Sequence, residues 1–188
     1  MDNTRTLTAF AHVSLDGYFV DGNGDMSWAH KHDAEWNKFV TENAGSDSEL
    51  VFGRTTYQMM AGYWPTAQAI QASPKVAERM NQTRKVVFSR TLDTAAWNNT
   101  TLVKGDMAAS MRRMKMEPGK PMVILGSGSI VSQMAQEGLI DEIQIVLNPL
   151  ALGKGRTYFA GIKRRLNLTL AKTRAFGNGN VLLCYTPG

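Results

Sequence analysis

A chain of 188 residues with 43% hydrophobic and 20% charged side chains fits a soluble globular fold and excludes a disordered one. Roughly 70% of the unfolded surface is buried at this size, so a lone cysteine, Cys184, suffices and neither disulfide nor structural metal is needed. The net charge of +5 is uneven: residues 1–50 hold 3 basic and 9 acidic groups, residues 51–188 hold 18 and 7, and no acid follows Glu142, a field that suits a polyanion or a phosphorylated small molecule.

The N-terminus lacks a basic segment leading into an apolar run, and no stretch approaches ~18 apolar residues. No membrane association is expected, and the expected compartment is the cytoplasm. With no linker, repeat or low-complexity tract, residues 1–188 read as a single domain.

Residues 5–13 alternate polar and apolar and predict a strand. Residues 14–28 carry Asp16-Gly17, Asp21-Gly22 and Asn23-Gly24 and predict a loop. Trp36, Phe39 and Val40 at helical spacing predict a helix over 33–43, with Asp33 near its start. Residues 49–52 predict a short strand, and 55–61 a helix capped by Thr55 or Thr56. A helix over 74–82 places Pro74 early. Residues 85–88 predict a strand and 106–116 a helix opened by Asp106. Residues 122–125 predict a buried strand running into a helix over 129–137. Strands follow at 143–147, 166–173 and 180–186, the last two flanking the turn Gly177-Asn178-Gly179. Strands alternating with helices imply right-handed crossovers and a mainly parallel sheet, made mixed by the closing hairpin.

Ligands of such sheets lie beyond the C-terminal strand ends, and three of these ends carry distinctive chemistry. Gly126-Ser127-Gly128-Ser129-Ile130 opens a helix, where glycines and free N–H groups admit a diphosphate. A tight strand–helix turn is the alternative reading. Gly53-Arg54-Thr55-Thr56 repeats the pattern with a guanidinium suited to bidentate phosphate bonds; the alternative is a plain cap with a surface arginine. Ser89-Arg90 suits a 2′-phosphate monoester; the alternative is an exposed loop arginine.

Weaker signals are set aside. Asp21-Gly22-Asn23-Gly24-Asp25 begins like a calcium loop but has Met26 at the obligatory glycine and His32 at the bidentate glutamate. His30 and His32 diverge on a helix, so no metal site is expected. Scattered basic residues without a zinc-finger or RNA-binding signature make nucleic acid an unexpected partner. Tyr57, Tyr63 and Trp64 are positioned to stack on a flat ring or to pack in the core.

The succession Ser14-Leu15-Asp16-Gly17, Trp28, Gly53 to Thr56, Val86 to Arg90 and Ile124 to Ile130 resembles the dihydrofolate reductase superfamily. It more closely resembles the branch that includes the riboflavin-biosynthesis reductase domain, over about Thr6 to Tyr185. The resemblance implies a three-layer α/β fold with a mostly parallel, eight-stranded mixed sheet, helices on both faces and a C-terminal antiparallel hairpin. It implies an NADPH-dependent reductase of the dihydrofolate or 5-amino-6-ribosylaminouracil-phosphate type, passing hydride to a pterin- or aminopyrimidine-like substrate. Gly53, Arg54, Thr55 and Thr56 would then hold phosphates, Ser89 and Arg90 the 2′-phosphate, and Gly126, Ser127, Gly128, Ser129 and Ile130 the pyrophosphate. Asp16 and Trp28 would line the substrate pocket, with a plain turn at Asp16-Gly17 the alternative for Asp16, and residues 16–28 would form a mobile closing loop; Tyr57 and Trp64 are the stacking candidates for the same pocket. Asp33 would be the catalytic acid that holds the amino-pyrimidine edge; a helix-capping acid is its alternative. Residues 30–44 hold lysines but no arginine, where the riboflavin branch is arginine-rich. Homodimers through a sheet edge or the hairpin are also implied. A non-catalytic nucleotide or nucleic-acid binding protein of the same fold is the rival reading.

Overall fold

The computed structural model describes residues 4–29, 33–44 and 47–188. Its strands are β1 (Leu7–Ser14), β2 (Tyr18–Asp21), β3 (Glu49–Gly53), β4 (Lys85–Phe88), β5 (Thr100–Val103), β6 (Met122–Leu125), β7 (Glu142–Asn148), β8 (Gly155–Thr157), β9 (Leu168–Ala175) and β10 (Val181–Pro187). Its helices are α1 (Ala34–Ala44), α2 (Arg54–Tyr63), α3 (Ala67–Ala72), α4 (Pro74–Gln82), α5 (Met107–Met116) and α6 (Gly128–Gln136), with a short 3-10 turn at Ser27–Ala29.

Eight strands form one sheet in the order β5-β4-β3-β6-β1-β7-β10-β9. From β5 through β7 every neighbour pair is parallel; β10 runs antiparallel to both β7 and β9. The expected mixed eight-stranded sheet and closing hairpin are therefore present. Parallel strands are covered on both faces, which explains the near-continuous apolar runs Leu50-Val51-Phe52, Val86-Val87-Phe88 and Met122 to Leu125. Each fully buried Val, Leu or Ile contributes about 1.5–3 kcal/mol of transfer free energy.

Alternation sorts β1 into two faces. Leu7, Ala9, Ala11 and Val13 pack with Val131 and Met134 of α6 and Met111 of α5. Phe10 and His12 point to the other face, where Trp36, Phe39 and Val40 of α1 meet Val146, Leu182 and Phe176. Further along that face Phe52 and Val87 pack beneath Tyr57 of α2, Met80 of α4 and Trp97. Two apolar clusters therefore lie on the α1 face, and a groove lined by residues of α1, α2 and α4 forms a cleft on it.

Four elements depart from the sequence reading. Residues 14–28 are not all loop: β2 pairs with β8, more than a hundred residues away, and a partner that distant leaves no local signal. β5 is missed because Thr-Thr-Leu-Val is short and half exposed at the sheet edge. α3 is a six-residue helix capped by Thr66, whose hydroxyl accepts from the Ala69 N–H. Its length defeats a periodicity test.

Candidate active site

The C-terminal ends of β3 and β6 are stitched together by one hydroxyl. After Leu125 the chain turns through Gly126 (φ 58°) and Ser127 (φ 54°), both left-handed, before α6 begins. A left-handed serine is disfavoured by roughly 1–2 kcal/mol, so local bonds must hold it. Ser127 Oγ accepts the Gly53 N–H at 3.0 Å and donates to Thr56 Oγ1 at 2.9 Å. Gly128 has no room for a side chain, because a Cβ there would lie 2.9 Å from the Tyr158 carbonyl oxygen. α2 has Gly53 as its cap with no side-chain bond, and α6 likewise has no side-chain cap. The N–H groups of Gly128 and Ser129 at the start of α6 and the first-turn N–H groups of α2 thus point past the same C-terminal end of the strands without intrahelical partners, while the Ile130 N–H bonds the Ser127 carbonyl at 2.8 Å. Each helix adds a partial positive charge there.

Two guanidiniums flank this edge. Arg54 is exposed and donates to Thr91 Oγ1 at 2.8 Å. Arg90 is exposed after the end of β4. Among the described residues, neither has a carboxylate within ion-pair distance. Ser89 Oγ accepts the N–H groups of Thr91 and Leu92 at 3.2 and 3.0 Å, which shapes the loop that carries Arg90.

The cradle opens into the cleft on the α1 face, part of a groove of about 2150 Å³. Phe10 and Leu125 line it from the sheet, Trp36 and Val40 from α1, Met60 and Trp64 from α2 and the turn after it. Gly24, Met26 and Ala29 reach its mouth from the loop after β2. His12 and Gln144 bring polar atoms into this apolar frame. His12 stands edge-on to Trp36 at 5.5 Å, and its Nδ1 lies 3.4 Å from the Asn148 amide nitrogen.

A family model described as the RibD C-terminal domain matches residues 5–182. The chain belongs to the RibD C-terminal domain family. The uncharacterized protein YyaP of Bacillus subtilis (strain 168) is 26% identical over 174 residues, covering 92% of this chain and 90% of that protein. Among solved structures, the diaminohydroxyphosphoribosylaminopyrimidine deaminase/5-amino-6-(5-phosphoribosylamino)uracil reductase of Thermotoga maritima superposes with a TM-score of 0.70 at 14% identity. That match covers 98% of this chain and 57% of the Thermotoga chain. A pyrimidine reductase-like protein of Corynebacterium diphtheriae gives 0.67 at 13% identity, covering 99% and 93%. At these identities the structural matches establish a common fold.

Within this RibD-type domain the residues expected for the cofactor converge: Gly53, Arg54, Thr55, Thr56, Ser89, Arg90 and Gly126 to Ile130 all line the groove. Neither threonine caps α2, however; Thr56 is occupied by Ser127, and Thr55 is exposed. Of the expected substrate residues, Trp64 lines the cleft. Tyr57 is buried at 4% exposure and accepts the Trp97 N–H through its hydroxyl, which commits it to the core. Trp28 donates its indole N–H to the Asp25 carbonyl within its own loop. Asp16 is a tether: its carboxylate takes the Ser14 hydroxyl at 2.6 Å and the Leu152 and Gly153 N–H groups at about 3 Å. Those bonds, the Ser14 hydroxyl foremost, hold the Asp16 carboxyl down to about 2. Asp33 accepts the Trp36 N–H at 2.7 Å, which is the capping alternative. His30 and His32 lie outside the described residues. Among the described residues no cluster of three or more His, Cys, Asp or Glu is placed to hold a metal, and no helix is long and apolar enough to cross a membrane.

Sequence reasoning missed His12 and Gln144. Both sit at alternate positions on strands whose pattern reads as ordinary sheet. Only the register, which sets Phe10 opposite Gln144 and His12 opposite Val146, brings them to one face.

Proposed function

We propose that this RibD-type domain is an NADPH-dependent reductase that passes hydride to a flat, pyrimidine-like heterocycle. The observation that carries the reading is the pair of guanidiniums without carboxylate partners beside two uncapped helix N-termini. Uncompensated positive charge and free N–H groups at one sheet edge fit a phosphate-rich ligand. The amides of Gly128 and Ser129, with those of Thr55 and Thr56, would hold the pyrophosphate. Arg90, on the loop shaped by Ser89, would take the 2′-phosphate, and Arg54 a second phosphate oxygen. When bound, the cofactor supplies a hydride from its nicotinamide ring.

The chain's own residues then do three things. The Ser127 bridge fixes the spacing between the two helix N-termini. The apolar walls from α1 and α2 exclude water around the acceptor ring. His12 and Gln144 orient its polar edge. Much of the rate comes from holding donor and acceptor at near-attack distance. We propose further that two copies associate through β9, a sheet-edge strand exposed from Thr169 to Ala175, with Leu170 half exposed. Light scattering should give twice the chain mass.

The test is a parallel titration with NADPH and NADH, followed by fluorescence of the protein, whose Trp64 lines the groove. Clear preference for NADPH is expected, followed by oxidation of the bound nucleotide when pyrimidines or pterins are added. NADPH binding with no turnover on any of them would favour the non-catalytic reading, and no binding of either nucleotide would overturn the reductase reading and leave nucleic acid as the ligand to test.

A further inference from the structure

The inference concerns what the cleft on the α1 face selects, and it rests on the reductase reading. Gln144 lies on the sheet between Phe10 of β1 and Cys184 of β10, which are its direct register partners. It is half-buried and lines the groove, yet its carboxamide makes no hydrogen bond within the described chain. A carboxamide offers one acceptor oxygen and two donor hydrogens in a plane. Covering it with an apolar group would leave those atoms desolvated and unpaired. Its complement is a cyclic amide edge, where a ring N–H meets the oxygen and a ring C=O meets the NH₂.

The remainder of the cleft is uncharged. The basic residues of the groove stand elsewhere: Arg54 and Arg90 at the cradle, and Arg156, Lys163 and Arg164 beside α6 on the opposite face. Beyond Arg54, which opens α2 at the cradle, the described lining residues on the α1 face present one cation, Arg79, ion-paired with Asp47 at 3.6 Å. Away from the cradle a phosphate dianion would find no charge-assisted partner among them.

We infer that the cleft takes an uncharged flat ring with a cyclic amide edge and an apolar substituent, that Gln144 reads that edge, and that a phosphorylated sugar is not part of the substrate. This would separate the chain from the phosphoribosyl substrate named for the Thermotoga relative.

Binding affinities decide it, measured by calorimetry with and without NADPH. The probes are quinazolin-4-one, its N3-methyl derivative and uridine 5′-monophosphate. Quinazolin-4-one should bind, and methylation of its ring nitrogen should weaken binding about 10- to 100-fold by removing one bond and obstructing the oxygen of Gln144. Gln144→Leu should weaken quinazolin-4-one by about 10-fold and erase its advantage over the methylated ring. Gln144→Glu, of nearly equal size, should also bind quinazolin-4-one more weakly; it replaces the leucine variant if that one fails to fold. Uridine 5′-monophosphate should bind at least 10-fold more weakly than quinazolin-4-one. Tighter binding of the nucleotide, no binding of quinazolin-4-one, or an unchanged preference in a folded Gln144 variant overturns the inference. If Gln144-dependent ring binding persists where NADPH does not bind, this inference stands and the reductase reading falls. If only phosphorylated pyrimidines are bound and reduced, the reverse holds.

Discussion

The two ends of the sheet treat their cations in opposite ways. At the N-terminal end of the parallel strands every cation discussed has a partner. Arg5 and Glu49 meet at 2.8 Å, both nearly fully buried. Arg84 shares Glu49 at 3.6 Å, and Asp47 accepts both Arg79 and Lys120. Lys85 is fully buried, with its ammonium donating to the carbonyls of Asn81, Thr83 and Asn98 and lying 4.3 Å from the Trp97 ring. Burial still lowers that ammonium to about 8. A cavity of about 720 Å³ opens at this end, but its Arg79, Arg84 and Lys120 each already meet a carboxylate. At the C-terminal end Arg54 and Arg90 meet no carboxylate among the described residues and stand beside two helix N-termini. Cations at the first end are held by the chain's own carboxylates and carbonyls; those at the second are left for the phosphates proposed above. Ion pairing separates the two ends.

Substitutions at four positions test that contrast. Glu49→Gln leaves the Arg5 guanidinium buried without its counter-charge and should cost about 3–5 kcal/mol in urea unfolding. NADPH affinity of the folded fraction should not change; a linked loss of affinity would merge two ends that the comparison holds apart. Arg90→Ala should do the converse. It should weaken NADPH by about 1.5–3 kcal/mol in the fluorescence titration, leave NADH unaffected, and shift stability by under about 0.5 kcal/mol. Equal weakening of both nucleotides would remove Arg90 from the 2′-phosphate.

A smaller effect is expected at the α1 cap. Asp33→Ala should cost about 1 kcal/mol of stability, while Asp33→Asn, which caps equally well, should leave both melting and turnover unchanged. A folded Asp33→Asn variant with collapsed turnover would restore the catalytic acid. The least effect concerns acid stability. The folded Asp16 carboxyl, at about 2, lies below its ordinary value of 3.8, so its ionised form stabilises the tether above about pH 4. That contribution is lost as pH falls through about 2. The urea midpoint of Asp16→Asn, measured across this window, should therefore fall less steeply than that of the wild type.

The glycine-rich strand ends of the proposed cofactor site were far more legible in the sequence than the cleft. Gly53-Arg54 and Gly126-Ser127 are local motifs: strand, turn and helix follow each other in the chain, so type and spacing suffice. The bridge from Ser127 to Gly53 and Thr56 was not legible, because it depends on two strand ends 74 residues apart becoming neighbours. The cleft is built wholly from such non-local contacts. Tyr57 and Trp64, both attractive as stacking residues, lie seven residues apart on one helix face and pack on one apolar cluster; Tyr57 is buried within α2, whereas Trp64, just past its end, is only partly buried and lines the groove. Asp33 holds the local Trp36 N–H that its capping reading requires, whereas the tether of Asp16 was not legible, because two of its N–H partners lie 136 and 137 residues away.

The central position of β1 sets the order in which this molecule can be assembled. Its neighbours are β6 and β7, and Leu7 pairs with Met122, about 115 residues later in the chain. On a ribosome β3, β4 and β5 emerge in succession and pair as immediate neighbours, while the first strand made waits for its partners. Until β6 emerges, the apolar side of β1, with Leu7, Ala9, Ala11 and Val13, has no strand beside it. Long-range parallel pairing of this kind slows folding and prolongs exposure of sticky surface. Chaperone dependence during synthesis should therefore centre on β1.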